Sequence, residues 1–370
     1  MEKLDQRITN AEPTPTSRVV IHNDVAYFTG HSAVCGKDIT EQTQMLCSRY
    51  DELLKQFGLK KEHIIYINAY LKNRADIPAY EAVLKEWVGV ETPPAGTAVQ
   101  APPMGENNLL EMALIVAREA PGMELRKLDQ RITNAEPTPA SRVVIHNGVA
   151  YFTGHSAFCG PNRETLEQQT RALLKRYEEL LEQFGLKKER ILMYHAYLKN
   201  IDDIDEFASV LNEWLEGKDC PAGVAVQAPP GGENNLLELS LIVAADSSPI
   251  RRLDMSSSFS RMVIHHGVGY FTGHIARPTA ATYGEQTKII FQRYDGFFRQ
   301  FGLNKEDMIM TNLYSKDISK YDEVQEEFAK WVGYETPPAG VAIQASPEQE
   351  QNLLEIEVII ATDSCRLSEF

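Results

Sequence analysis

The sequence predicts an α+β protein made of three tandem copies of one domain, and two observations carry this prediction. The stretch Tyr-Phe-Thr-Gly-His occurs three times, at residues 27–31, 151–155 and 270–274. Residues 3–15 also recur without change as residues 127–139. A copy of this length is a whole domain, because solenoid repeats span only ~20–50 residues. We therefore predict three domains, repeats 1, 2 and 3, at residues 1–119, 120–247 and 248–370.

Each repeat has the same order of local patterns. In repeat 1, strand, strand, helix, strand, helix, strand and strand are predicted over residues 18–22, 25–29, 41–57, 63–71, 76–87, 97–101 and 109–117. Asn23-Asp24 is a hairpin signal between the first two strands. Apolar residues of the first helix form one stripe, and Gly58 predicts its end. This order predicts a sheet with both helices on one face.

A sheet covered on one side only must bury its other side. Three such sheets in one chain can close around a common axis, so we predict an intramolecular pseudo-trimer around a closed sheet core. Such a chain needs no second copy and could be a monomer. The clefts between its domains are then the natural ligand sites.

Composition limits the class of protein. Hydrophobic residues make up 43% and charged residues 24% of 370 residues, which is ordinary for a soluble globular protein. The net charge of −15 repels phosphate backbones, so we predict no nucleic-acid partner. No run approaches the ~18 apolar residues of a membrane span. The polar first residues lack a signal-peptide core. We predict a cytoplasmic protein without a membrane partner.

A glutamate begins the last apolar strand of each repeat, at Glu111, Glu238 and Glu355. A carboxyl group facing a cleft can have a raised pKa and act as a general acid or base. The alternative is a solvent-facing residue on a half-exposed strand.

A histidine follows the glycine of each repeated stretch, at His31, His155 and His274. Imidazole can shuttle protons near neutral pH, or it can form a structural hydrogen bond that holds the loop. A histidine and a glutamate that face one cleft would form an acid–base dyad. The preceding threonines are predicted to hydrogen-bond a substrate: Thr29, Thr153 and Thr272. His22, His146 and His265 lie in predicted strands and are interpreted as packing residues.

The remaining candidates have weaker patterns. Gln100, Gln227 and Gln344 can orient a ligand or satisfy backbone groups. Cys35 and Cys159 occupy matching loops and are either nucleophiles or plain thiols. The five cysteines form no Cys-x-x-Cys pair, which favours reduced thiols. Arg277 is unique to repeat 3 and can hold a carboxylate or form a surface ion pair. No spacing matches a metal site, so neither a metal nor a cofactor is predicted.

Together these segments resemble the Rid family, the reactive intermediate deaminases, also called YjgF. The resemblance rests on the hairpin into Thr-Gly-His, the helix ending in Gln-Phe-Gly-Leu, the Asn-Ala-Tyr-Leu-Lys strand, the Pro-Pro-Ala segment and the Leu-Leu-Glu strand. It covers all three repeats and implies a chorismate-mutase-like fold. Family members are usually homotrimers with sites between subunits. Members with the full site hydrolyse 2-imino or enamine acids to 2-oxo acids and ammonia.

The resemblance also implies site residues, with departures. The three glutamates match the family's water-positioning glutamate. The family's Ser-Gly-Gln is Thr-Gly-His here. Its Pro-Ala-Arg, whose arginine grips the substrate carboxylate, is Pro-Ala-Gly, which leaves Gly96, Gly223 and Gly340 at the substrate-binding position.

These residues predict a small-molecule enzyme related to imine and enamine deaminases. It would perform acid–base or hydrolytic chemistry on a substrate that the usual arginine does not hold. The alternative is a non-catalytic ligand-binding or scaffold protein of the same fold. Ribonuclease activity, attributed to some relatives, is disfavoured by the negative charge.

Overall fold

The computed structural model describes residues 1–9, 12–33, 35–133, 135–157 and 165–362. The described part of repeat 1 forms β1 Glu2–Thr9, β2 Glu12–His22, β3 Val25–Phe28, β4 His31–Ser32, α1 Ile39–Gln56, β5 Ile64–Leu71, α2 Ile77–Val88, β6 Ala95–Gln100 and β7 Leu110–Ala117. Repeat 2 forms β8 Leu125–Thr133, β9 Glu136–His146, β10 Val149–Phe152, β11 His155–Ser156, α3 Leu166–Gln183, β12 Ile191–Leu198, α4 Ile204–Leu215, β13 Ala222–Gln227 and β14 Leu237–Ala244. Repeat 3 forms β15 Arg251–Met255, β16 Ser260–His265, β17 Val268–Phe271, α5 Tyr283–Phe301, β18 Met308–Ser315, α6 Tyr321–Val332, β19 Ala339–Gln344 and β20 Leu354–Ala361.

Each repeat folds into one mixed sheet. The strand orders are β1-β2-β3-β7-β5-β6, β8-β9-β10-β14-β12-β13 and β15-β16-β17-β20-β18-β19, and the short β4 and β11 pair with β7 and β14. One pair in each sheet is parallel, as in β5 with β6, and the others are antiparallel. The first strand of each repeat is absent from the sequence prediction, although residues 3–15 and 127–139 are identical.

Local sequence signals explain the helices. The side chain of Asp38 accepts a hydrogen bond from the Glu41 N–H and caps the start of α1. At its end, the Leu59 N–H donates to the Leu54 carbonyl at 2.8 Å, with Gly58 at φ +67°. Gly58 therefore ends the helix as predicted, because glycine adopts a positive φ without steric cost.

Alternating residues give each sheet two buried faces. In repeat 1, Val19 and Phe28 pack against the helices, whereas Val20 and Tyr27 enter a core that all three repeats share. Successive side chains of a strand point to opposite faces, so one strand serves both cores. Residues on the inner sheet faces of all three repeats thus form one core, and the helices pack on the other face of each sheet.

The predicted closed sheet is wrong. The described strands form three separate sheets that meet through isolated bridges, Val99 with Pro230, Gln227 with Ser346 and Pro103 with Ile343. The outer strands β6, β13 and β19 therefore meet loops of the next repeat and not a strand. Two of the three bridging loop residues are prolines, which lack the N–H that a continuing ladder requires.

In the shared core, the buried carboxylate of Glu357 contacts a histidine at a position that is not repeated. Glu357 of β20 lies 3.1 Å from His195 Nε2 of β12 and accepts hydrogen bonds from Asn312 and Tyr314. Ala113 and Ser240 occupy the corresponding positions of the other repeats. The pseudo-threefold symmetry is therefore broken at the axis.

No helix in the described ranges combines the length and the apolar character needed to cross a bilayer. The domain boundaries at residues 119 and 247 stay predictions.

Candidate active site

Three clefts lie between consecutive repeats, and the last repeat closes on the first. The repeated glycine of one repeat donates its N–H to the Pro-Ala-Gly carbonyl of the preceding one. These contacts join Gly154 to Gly96 at 3.0 Å, Gly273 to Gly223 at 3.1 Å and Gly30 to Gly340 at 2.9 Å. We name the clefts by these contacts: the first between repeats 1 and 2, the second between repeats 2 and 3, and the third between repeats 3 and 1.

The three threonines fasten these junctions. Thr153 Oγ1 accepts a hydrogen bond from the Gly96 N–H at 3.1 Å and donates to the Ser141 carbonyl. Thr272 joins Gly223 to Ser260, and Thr29 joins Gly340 to Ser17, in the same way. In this structure each hydroxyl uses its proton within the junction, and each glycine N–H is occupied by it.

Thr153→Val should therefore weaken the protein. Valine keeps the shape but leaves the Gly96 N–H and the Ser141 carbonyl unsatisfied at a buried position. We expect the free energy of unfolding to fall by about 2 kcal/mol, because an unmet buried polar group costs about 1–3 kcal/mol. Urea unfolding measures the change, and Thr153→Ser, which keeps the hydroxyl, is the control. Equal stability of the valine and wild-type proteins would contradict this role.

The glycine of each stretch makes room for the glutamate. A Cβ at Gly30 would overlap the Glu111 carboxyl group, and the same holds for Gly154 with Glu238 and Gly273 with Glu355. The three carboxyl groups are buried beside these glycines. Any other residue in place of these glycines would displace them.

Burial raises the pKa of all three glutamates. It raises the pKa of Glu111 to about 7 against the opposing effects of Arg7, the Ala342 N–H and Ser32. It raises the pKa of Glu238 to about 7 against Arg131, with the Ala98 N–H and Ser156 also opposing. The pKa of Glu355 is raised well above its usual range, because burial acts together with the carboxylates of Glu348 and Glu357. Both causes favour the protonated form of Glu355.

The histidines of repeats 1 and 2 lie on the opposite sheet face from the glutamates. In the β4–β7 ladder, Ser32 is opposite Glu111, and its hydroxyl lies 3.4 Å from that carboxylate. His31 is opposite Met112 and packs on the ring of Tyr50 of α1. His155 packs on Tyr177 in the same way. The hypothetical dyad does not form in these two repeats.

Burial also keeps the histidines neutral. It lowers the pKa of His31 and His155 well below the usual range, and nearby arginines add to the effect. Burial, together with Arg293, lowers the pKa of His274 to about 3. His274 borders the second cleft, where its Nε2 lies 3.2 Å from Arg261. An imidazole with this pKa is a poor base at pH 7.

The glutamines and the loop cysteine lie in other surroundings. Gln100 donates to the Lys72 carbonyl, and Gln344 accepts from the Ile318 N–H, so both side chains contact backbone groups. The Gln227 N–H donates to the Ser346 carbonyl of repeat 3. Cys35 is an exposed free thiol 3.9 Å from Met45 Sδ, and Cys159 lies outside the described residues.

The first and third clefts contain an arginine from the unpredicted first strand. Arg7 of β1 donates to the Gly30 carbonyl at 3.3 Å and Arg131 of β8 donates to the Gly154 carbonyl at 3.2 Å. Each lowers the pKa of the glutamate in its cleft. In the third cleft, Arg7 and Thr16 line a cavity of about 40 Å³ with Glu111. That volume is suited to a few water molecules at most.

The second cleft is much larger because its hairpin is shorter. Gln6 pairs with Ser17 in repeat 1, whereas Met255 pairs with the corresponding Ser260 in repeat 3. The shorter connection puts Ser256 where the other repeats have the arginine. The resulting cavity measures about 390 Å³ and includes Glu355 in its lining. This volume falls within the range of small-molecule sites.

Three arginines line the second cleft, namely Arg261 of β16, Arg293 of α5 and Arg277 of the loop between them. Arg261 pairs with Asp254 at 2.6 Å, and Arg277 pairs with Glu348 at 3.1 Å. The pKa of Arg293 is lowered by burial and by the other two guanidinium groups. Within the described ranges no carboxylate pairs with Arg293, whose NH1 donates to the Ile275 carbonyl. Asp205, Glu348 and Glu355 also line the cavity, so Arg293 is the guanidinium group that has no carboxylate partner among the described residues.

The residue facing each Pro-Ala-Gly glycine differs between clefts. A Cβ at Gly223 would overlap the ring of Tyr194, so this tyrosine covers the glycine in the second cleft. Ile67 and Thr311 stand in register with Gly96 and Gly340. Burial raises the pKa of the Tyr194 phenol, which keeps it an O–H donor. Tyr194, Arg261 and Arg293 are not among the residues predicted from the sequence. The shorter first hairpin of repeat 3 is the sequence signal that could have pointed to this cleft.

Comparisons with known proteins agree with this architecture. The profile of the family described as Endoribonuclease L-PSP matches residues 9–118, 133–245 and 249–362. A RutC family protein of Haemophilus influenzae is 28% identical over 114 residues, which is 30% of this chain and 97% of that protein. RutC family protein YoaB of Escherichia coli is 30% identical over 101 residues, 27% of this chain and 89% of that protein. Each relative thus corresponds to one repeat, and the resemblance to Rid proteins is confirmed.

One solved structure covers most of the chain. A chorismatase crystal structure superposes with a TM-score of 0.55 over 81% of this chain and 93% of its own, at 12% identity. This likeness concerns the fold alone.

Proposed function

We propose that the chain is a small-molecule enzyme with one working cleft. This proposal starts from the family to which the chain belongs, the endoribonuclease L-PSP family, which includes RutC, YjgF and Rid proteins. The chain contains three tandem domains of this family. The second cleft would bind a small organic anion and catalyse acid–base or hydrolytic chemistry on it. The family includes deaminases, and the chorismatase described above is an enzyme with the same fold. Both facts support the proposal that this fold carries out catalysis here.

The single observation that carries this proposal is the lining of the second cleft. Arg261, Arg277 and Arg293 share a cavity of about 390 Å³ with a buried Glu355. Guanidinium groups suit carboxylates because their planar donors match two oxygens at once. In place of the arginine that Pro-Ala-Gly lacks, guanidinium groups would come from β16, from α5 and from the loop between β17 and α5.

Glu355 is suited to act as the general acid. Its raised pKa favours the protonated carboxyl group, which can donate a proton to a nitrogen or oxygen that gains charge in the transition state. After that transfer, the carboxylate can accept a proton from an attacking water. The Tyr194 phenol lies on the same cavity as a further donor. The substrate would be an organic acid with a carbon–nitrogen or similarly hydrolysable bond.

The first and third clefts are assigned no catalytic role. Their glutamates interact with Arg7 and Arg131, and the cavity of the third cleft is about a tenth as large. The non-catalytic alternative requires that the second cleft bind an anion without turning it over. Ribonuclease activity remains disfavoured by the net charge of −15.

A ligand panel tests the binding half of this proposal. We expect small mono- and dicarboxylates, including 2-oxo acids, to raise the melting temperature, and the matching neutral amides to have no effect. Arg293→Met should weaken carboxylate binding by about 10–100-fold, because a hydrogen bond to a charged group contributes about 1.5–3 kcal/mol. Titration calorimetry with the best carboxylate measures the loss.

Arg49→Met is the matched control, because Arg49 stands at the position in α1 that Arg293 has in α5. We expect this variant to bind the ligand like the wild type. Equal binding of carboxylates and amides, or full affinity in Arg293→Met, would overturn the proposal.

A further inference from the structure

The junction of repeats 2 and 3 gathers three side chains with metal-binding chemistry, at the other end of β16 from Arg261. Asp246 follows β14, His265 ends β16, and His266 begins the next turn. One ligand atom of each lies within 4.8 Å of the other two. We propose that this cluster binds one divalent transition-metal ion of the zinc class and thereby clamps the two repeats together.

Two distances, one to each carboxylate oxygen of Asp246, can be compared with those of a zinc site. His265 Nε2 lies 3.4 Å from Asp246 Oδ1, and His266 Nε2 lies 2.6 Å from Asp246 Oδ2. Ligand atoms about 2.0–2.1 Å from a tetrahedral zinc ion are about 3.3 Å apart. The first distance already fits. The second must lengthen by less than about 1 Å, and the His266 side chain, which is 40% exposed, has room to move by that amount.

His265 supplies the second, independent observation. Its side chain is fully buried, and its Nε2 has no hydrogen-bond partner among the described residues. Its Nδ1 lies 3.4 Å from the Pro249 carbonyl, which can only accept. Such a contact favours the proton on Nδ1, which leaves Nε2, 3.4 Å from Asp246 Oδ1, as the nitrogen with the free electron pair. Metal-binding histidines have this arrangement, in which the second nitrogen is oriented by a carbonyl or carboxylate.

Neighbouring groups support Asp246 and leave space for an ion. Ser248 donates to both carboxylate oxygens of Asp246. A Cβ at Gly148 would lie 2.7 Å from Asp246 Oδ2 and 2.9 Å from His266 Nε2, so glycine keeps this volume open. Arg190 lies 3.7 Å from Asp246 Oδ1 and would compete with a cation for that oxygen.

The donor set selects the metal class. Two imidazole nitrogens and one carboxylate are typical of zinc and similar transition metals, whereas calcium and magnesium prefer oxygen ligands. Three protein ligands leave a fourth position for water. The sequence predicts no metal because Asp246 and the two histidines lie in different segments, and only folding brings them together.

The chain offers a substitution that removes one ligand without damaging the turn. Asn23 and Asn147 occupy the position of His266 in repeats 1 and 2, and all three residues have a positive φ. Asparagine tolerates that conformation better than most residues. His266→Asn therefore restores the residue of the other repeats while it deletes an imidazole.

The test titrates zinc into untagged protein that has been stripped with EDTA, in a Cys35→Ser background that removes the exposed thiol. We expect one zinc ion per chain and a raised melting temperature, with no response to magnesium. His266→Asn and Asp246→Asn should each weaken zinc binding by at least about tenfold. His63→Asn, at the junction of repeats 1 and 2, should bind zinc like the parent protein.

Two results would overturn the proposal. One is no heat of binding and no thermal shift at roughly tenfold molar excess of zinc. The other is binding that His266→Asn and Asp246→Asn leave unchanged while both variants melt cooperatively.

Discussion

Glu355→Gln is expected to lower kcat by about 10²–10⁴-fold on the substrate that the ligand panel identifies, because that is the usual contribution of a general acid. Glutamine keeps the size of the side chain but has no acidic proton to transfer. The variant should bind the substrate about as well as the wild type, so the effect should appear in kcat and not in KM. Steady-state assays of ammonia or acid release measure this.

The chain contains its own controls for this experiment. Glu111→Gln and Glu238→Gln place the same change in the third and first clefts, and we expect turnover within about twofold of wild type, since neither residue lies in the second cleft. Equal losses in all three variants would mean that the clefts work together. Undiminished turnover in Glu355→Gln would remove this glutamate from the mechanism, and no turnover of any bound carboxylate by wild type would favour the ligand-binding alternative.

The same substitutions at Glu111 and Glu238 should stabilise the protein at pH 8. Their pKa is about 7 in the folded protein, against an ordinary value of 4.5. Below pH 4.5 both the folded and unfolded states hold the proton. Between pH 4.5 and 7 only the folded state holds it, so the free energy of unfolding falls as pH rises. Above pH 7 a buried charge remains in the folded state.

The size of this effect follows from the pKa difference. One pKa unit corresponds to about 1.4 kcal/mol, so each glutamate can cost up to about 3 kcal/mol above pH 7. The neutral amide of glutamine removes this cost. We expect Glu111→Gln/Glu238→Gln to gain stability at pH 8 and little at pH 4.5, as measured by urea unfolding.

Glu106→Gln, an exposed change in the loop before β7, is the control for the loss of one negative charge. It should follow the wild-type pH profile. A double variant with the same pH profile as wild type would show that these carboxyl groups titrate normally.

The fold could be predicted from sequence because it depends on patterns that repeat. The apolar periodicity of α1, the glycine after it and the alternation of β2 and β3 are local signals, and three copies of each strengthen them. The first strand is absent from the prediction because residues 2–9 are mostly polar, and residues 2–8 are partly or fully exposed, so the segment lacks the alternation of a buried strand. That strand carries Arg7.

The candidate site was predicted less completely, for geometric reasons. Among the predicted residues, the three glutamates lie at the clefts, and Gly223, Thr272 and His274 also line the second cleft. The histidines, however, directly follow a glycine that lies just beyond a strand. Whether their side chains face the glutamates depends on register, since one residue changes the face. Arg261 and Arg293 come from a strand and a helix that only the folded chain brings together.

The buried pair of Glu357 and His195 has a consequence for how three similar repeats find their places. Repeats that resemble one another can dock in the wrong cyclic order, or exchange between two chains. Any arrangement that separates β12 from β20 would bury Glu357 without its partner, which costs about 3–5 kcal/mol. The contact therefore favours the one arrangement in which β12 of repeat 2 lies beside β20 of repeat 3, and it distinguishes this junction from the two others.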